Sequence, residues 1–241
     1  MTALTNWFQG IDLNRIIEWL MFAAAALFAI CVHESCHALS ALWLGDDTAK
    51  RMGRISLNPL RHLDPVGFLM MVVAHFGWAK PVPINPYRMT KVKNPKVGMA
   101  LTAAAGPVSN VILAFLFGIG YFIVLYPIYW PYWLEWGYYI SASGWRDYLG
   151  LFLFRCFLLN AGLAVFNLIP VSPLDGSKIF AIVLPNKAYA WLMRYEKYGF
   201  IILAVLLFTG VLDKPLSYLV GGLMYVVAAV AEPIARLITG V

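Results

Sequence analysis

The sequence predicts an all-α polytopic membrane protein with about five transmembrane helices and a membrane-associated cytoplasmic loop, a candidate β-hairpin, after the first. Three observations predict it. Of 241 residues, 61% are hydrophobic and 12% charged, and mean hydropathy is +0.73, far from the balance of a soluble domain. Apolar runs close to the ~20 residues that span a bilayer recur along the chain. Nine of the 18 Lys and Arg residues fall within one connection, residues 45–96, whereas 127–147 holds only Arg146. Basic residues mark the cytoplasmic side.

The first helix is expected over about 16–44. Its small residues resemble a cleavage region, but cleavage there would discard the helix that leads into "HESCH", so an uncleaved anchor is expected. The basic connection follows, and within it 65–79 is apolar yet too short to span, which suggests a re-entrant or interfacial element. Further helices are expected over 97–126, 149–184, 198–212 and 216–239, the one at 149–184 interrupted by "NLIPVSPLDG". Alternation puts the N-terminus outside and the C-terminus inside. The connection 126–148 is dense in Trp and Tyr, as expected of an aromatic belt at the headgroups. One domain is expected over 1–241, with a core at about 16–184 and C-terminal helices at 198–239. Cys31, Cys36 and Cys156 lack C-x-x-C spacing, so neither a disulfide framework nor a thiolate metal cluster is indicated.

"HESCH", residues 33–37, interrupts the apolar run. On a helix, His33 and His37 project from one face a turn apart, the spacing that lets both bind one zinc ion. Glu34 points ~100° away, free of the metal yet close enough to act on water beside it. Three ionisable groups in an apolar segment each cost a few kcal/mol unless they share a partner, and Zn2+ is such a partner.

A catalytic zinc needs a third protein ligand and an open position. Ser40 and Trp43 stand where a metzincin would carry glycine and histidine, and no Glu occurs between Glu34 and Glu135 to complete a gluzincin set. Asp175, His62, His75, Asp64 and Cys36 remain. Asp175 is the best placed: Pro170, Pro173 and Gly176 break the helix around it and can turn its carboxylate inward. His62, Asp64 and His75 read as surface or supporting groups, and Cys36 as a buried inert thiol.

"HESCH", "GRISLNPLRHLDPVG", "FGWAKPVPINP", "AAAGPVSN" and "FNLIPVSPLDGSKI" occur in that order. Together they resemble the site-2 protease family of intramembrane zinc metalloproteases in its short form, without PDZ or CBS modules. The similarity covers about residues 20–184. The resemblance implies Zn2+ held by His33, His37 and Asp175, Glu34 as catalytic base, and regulated intramembrane proteolysis. It implies further that Asn167 holds the substrate backbone, that Asn110 contacts substrate or packs beside Gly106, and that the basic loop, in "GRISLNP" and "KPVPINP", forms a hairpin presenting an edge to the substrate, with a strand expected near residues 53–58.

The expected partners are a transmembrane protein substrate and the lipid bilayer, with no nucleic acid. The expected location is the inner (plasma) membrane of a bacterium or archaeon, with the site toward the cytoplasm. Two other classes compete: a catalytically silent zinc-binding scaffold of the same fold, and a zinc transporter. The small stock of intramembrane acids disfavours transport.

Overall fold

The computed structural model describes residues 13–67, 79–129 and 144–240. His75, most of the short apolar segment and most of the aromatic connection lie outside the described residues. The helices are α1 (Leu13–Trp43), α2 (Thr48–Arg51), α3 (Pro95–Tyr129), α4 (Trp145–Asn167), α5 (Asp175–Phe180), α6 (Asn186–Phe208) and α7 (Asp213–Thr239). Among them α1, α3, α4 and α7 are long and apolar enough to cross a membrane. The crossing expected at 198–212 falls in α6, whose apolar part, Tyr198–Phe208, is shorter than a span.

Helix ends follow local chemistry. After α1, Gly45 takes φ +109°, the Gly45 N–H donates to Leu42 and the Asp46 N–H to Ala41. This is a Schellman termination, in which a left-handed glycine lets the last carbonyls find donors. A side chain at Gly45 would also strike Thr90. Helix α3 starts where Asn94 caps the Lys96 N–H and Pro95, which needs no donor there, occupies the first turn.

Small residues face the interior: Ala25, Ala29, Ala38, Ala103, Ala114, Ala161, Ala164, Ala228 and Ala231 are buried, whereas Trp19, Leu20, Trp43, Leu116 and Phe208 are exposed. Lipid tails are as apolar as Leu, so membrane helices associate by close backbone approach rather than by hiding large side chains. Contacts between α3 and α4 step in opposite directions, from Gly120 against Leu153 to Asn110 against Asn160, so the two are antiparallel. Phe28 of α1 meets Phe117 while His37 meets Thr102, so α1 is antiparallel to α3 as well. Helix α7 differs. Val227 abuts Gly118 and Phe122 packs with Ala228, Ala231 and Ala235, so α7 runs parallel to α3. Its end therefore lies at the end of the bundle opposite the basic loop, not on the loop's side as strict alternation over five crossings required.

The described parts of the basic loop are held by buried polar side chains rather than by a sheet. Residues 53–58 form no strand, and among the described residues the one β-type contact is an isolated antiparallel bridge between Leu63 and Ala79. The reason is local: the Ser35 hydroxyl donates to the Ser56 carbonyl at 2.8 Å and His62 Nε2 donates to the same oxygen at 2.6 Å. The segment is thereby docked on α1 instead of pairing with a neighbour. Arg54 donates to the Lys80 and Pro81 carbonyls and fixes the extended stretch 79–85.

Candidate metal centre

The site lies where α1, α3, α4 and α5 meet. His33 and His37 are 7% and 6% exposed, one turn apart on α1, and their rings cross at 86°. They can sit this deep because Gly106 of α3 faces them. A Cβ there would lie 2.5 Å from the Cε1 atoms of both rings and from Nε2 of His37.

Each ring is held from behind. His37 Nδ1 donates to the Thr102 carbonyl at 2.7 Å, and His33 Nδ1 lies 2.5 Å from Asn110 Oδ1. Both Nε2 atoms consequently turn inward, 3.0 Å apart. Asp175, delivered by the chain reversal after α4, brings Oδ2 to 3.2 Å from each. That oxygen is buried and makes no hydrogen bond.

This cluster tests whether the residues suit a metal. Three donor atoms form a triangle with edges of 3.0, 3.2 and 3.2 Å, and donors ~2.05 Å from one ion at tetrahedral angles stand roughly 3.3 Å apart. With both Nδ1 hydrogens directed outward, lone pairs point at lone pairs and at a carboxylate. Such an arrangement repels itself unless a cation sits between. Two imidazoles and one carboxylate are a donor set that suits zinc. His33, His37 and Asp175 fit.

A cavity of about 580 Å³ opens beside the triangle. Glu34, Asn167 and Lys178 supply its other polar lining, and Val82, Ile84 and Leu203 some of its apolar lining. Glu34 makes no hydrogen bond or ion pair among the described residues. Asn167, the last residue of α4, donates its amide to the Leu163 carbonyl at 3.0 Å and stays on the wall.

The other sequence candidates among the described residues lie apart from the donor triangle. Asn110 is fully buried, with its oxygen on His33 and its nitrogen on Asn160, so its side chain supports an imidazole and has no face toward the cavity. His62 is 1% exposed rather than on the surface, and its partner is Ser56. Asp64 accepts the N–H groups of Val66 and Gly67 and shapes a turn. Cys36 is a free, half-buried thiol.

Three contributors were missed. Asn160 is a polar residue in an apolar run, a signal that alone marks a residue for attention. Thr102 acts through its backbone carbonyl, which no side-chain pattern reveals. Asp46, 0% exposed, accepts from the Thr48 N–H and hydroxyl and from the Asn85 N–H at 3.0, 2.5 and 2.6 Å. Burial raises its pKa, but these hydrogen bonds, with Arg88 nearby, outweigh that and hold it below the usual carboxylate value.

Comparison with known proteins decides the family. A Bacillus subtilis protein named "Putative zinc metalloprotease YwhC" is 39% identical over 183 residues, covering 76% of this chain and 78% of the relative. The chain belongs to the YwhC family of zinc metalloproteases. A Mycolicibacterium smegmatis protein named "Putative zinc metalloprotease Rip2" is 28% identical over 211 residues, covering 84% of this chain and 72% of that relative. No family model matches the chain, and no solved structure matches it. Family membership and the four membrane-length helices among the described residues make this chain a membrane metalloprotease with a candidate metal site at His33, His37 and Asp175.

Proposed function

We propose that the chain is an intramembrane zinc endopeptidase of the site-2 protease type, hydrolysing peptide bonds within or near transmembrane segments of membrane protein substrates. The observation that carries this reading is the convergence of His33, His37 and Asp175 beside an otherwise unpartnered Glu34 in a mainly apolar cavity between membrane-length helices. His33, His37 and Asp175 would hold the zinc ion. A metal held by these three side chains would supply Lewis acidity to the scissile carbonyl and to the attacking water, whose pKa zinc brings toward about 7. Glu34 accepts the proton of that water and delivers it to the leaving amine nitrogen. Asn167 holds the peptide backbone beside the reacting bond.

A helical amide is engaged in its own hydrogen bond, so the substrate must be extended before it is cut. The stretch 79–84 supports this role better than 53–58. Pro81 and Pro83 have no N–H, the Pro81 carbonyl is taken by Arg54, and the N–H groups of Val82 and Ile84 have no partner among the described residues. Those alternate groups are free to pair with an extended chain in the cavity. The basic loop directs this end of the bundle toward the cytoplasm of a bacterial or archaeal cell.

The deciding experiment replaces Glu34 by Gln in purified, zinc-loaded protein. Zinc content should match wild type while cleavage of a membrane-spanning substrate falls by at least ~10³-fold, the scale of losing general acid–base catalysis. Wild type that retains zinc yet cuts no membrane-spanning substrate would leave a zinc-binding scaffold as the better account.

A further inference from the structure

His33 and His37 receive their orientation by different routes. His37 Nδ1 faces a backbone carbonyl, Thr102, which can only accept, so the hydrogen must sit on Nδ1 and the lone pair on Nε2. His33 Nδ1 faces a carboxamide. A carboxamide has an accepting and a donating end, and if Asn110 were turned over its nitrogen would donate to His33 Nδ1. The hydrogen of a neutral His33 would then sit on Nε2, where it would block a metal.

What prevents this lies one helix further away. Asn160 of α4 donates its Nδ2 to the Cys156 carbonyl at 2.8 Å, and that carbonyl is an acceptor by nature. Asn160 therefore presents Oδ1 to α3. Asn110 must answer with Nδ2, at 2.8 Å, which leaves its Oδ1 for His33. Both asparagines are 0% exposed, so water offers neither side chain an alternative partner.

We propose that Asn160 is a positioning residue of the metal site. It sets the polarity of a chain of hydrogen bonds running from the Cys156 carbonyl through Asn160 and Asn110 to His33, and so holds neutral His33 with its Nε2 lone pair free for the ion. The proposal rests on the metalloprotease reading only in taking His33 as a ligand. A merely structural role, two amides joining α3 and α4 in the membrane, makes a different prediction about rescue. Asp at position 110 accepts from His33 Nδ1 with either oxygen, while its second oxygen would face the accepting Oδ1 of Asn160, so it gains nothing from Asn160 as an orienting group and Asn160→Leu removes the opposed oxygens.

The test measures zinc affinity of the full-length protein in detergent by competition with a chelator, with chromatographic monodispersity as the check on folding. Asn160→Leu should weaken zinc binding about ten- to a hundred-fold, the usual effect of losing a group that orients a ligand. Asn110→Asp/Asn160→Leu should bind no more than about three-fold more weakly than Asn110→Asp alone, a large coupling between the two sites. Unchanged affinity in Asn160→Leu would overturn the proposal, as would a double variant weakened relative to Asn110→Asp as much as Asn160→Leu is relative to wild type. If Asn160→Leu does not fold, nitrogen NMR of ¹⁵N-histidine in chelator-treated wild type decides: His33 protonated on Nδ1 is expected, and on Nε2 sinks the relay. Wild type that holds no zinc would defeat the metalloprotease reading itself, and the NMR measurement would still judge the relay.

Discussion

At Gly106 a hydrogen stands where any other residue would put a carbon 2.5 Å from two imidazoles. Neither ring can retreat, since each is bonded from behind by Thr102 or Asn110. Gly106→Ala should therefore lower zinc affinity by at least about ten-fold and cost about 1–3 kcal/mol of stability through overpacking. Gly162→Ala is the matched control. Nothing lies within 4 Å of a Cβ at Gly162, so zinc content and thermal midpoint should hold or rise slightly. At this scale the sequence was informative where chemistry follows from spacing: His33 and His37 share a face by helical period, and Asp175 is an acid without a partner in an apolar stretch. From sequence alone Asn110 has substrate or Gly106 as its expected neighbour, because a one-dimensional pattern does not say which helix a polar residue faces. The same limit hid Asn160.

Elements carry the next layer. The loop after α1 depends on Asp46, whose carboxylate gathers Thr48 and Asn85 and so links the end of α1 to the stretch that walls the cavity. Asp46→Ala leaves buried N–H groups unpaired and should destabilise the protein by about 1–3 kcal/mol. A carboxylate held below its usual pKa stabilises fully above the unfolded-state value near 4 and loses that contribution as pH falls through the lower folded-state value. The wild-type advantage over Asp46→Ala in thermal midpoint should thus be constant from about pH 5 to 8 and shrink below about pH 4. A gap that grows on acidification would contradict this account. The helices α1, α3, α4 and α7 were legible because apolar length specifies a span, and Gly45 because a helix stop has local chemistry. Residues 53–58 misled because weak alternation suits a strand, while Ser35 on the preceding helix and His62, a few residues further on, fasten Ser56 instead.

For the whole molecule, the class was readable from composition alone, but the path of the chain was not. Whether an apolar stretch crosses depends on a length margin of a few residues, and Tyr198–Phe208 falls short of it. One crossing fewer reverses everything after it. Parallel packing of α7 on α3 predicts that position 240 and the loop around Lys91 lie on opposite sides of the membrane. Single cysteines at those two positions, in an otherwise cysteine-free protein, should be labelled by an impermeant maleimide from opposite faces of sealed vesicles. Labelling of both from one face would refute the parallel arrangement.

The glycine stop at the end of α1 turns that helix into a ruler. Gly45 stands twelve positions after His33, which at 1.5 Å per residue is ~18 Å, and Gly45 is pressed against Thr90 so that the zero mark cannot slide. Depth of the ligands below the loop is thus written as a count of residues. Adding one residue between His37 and Gly45 would turn the ligand face by ~100° relative to that mark, so distance and bearing can change only together, in whole turns.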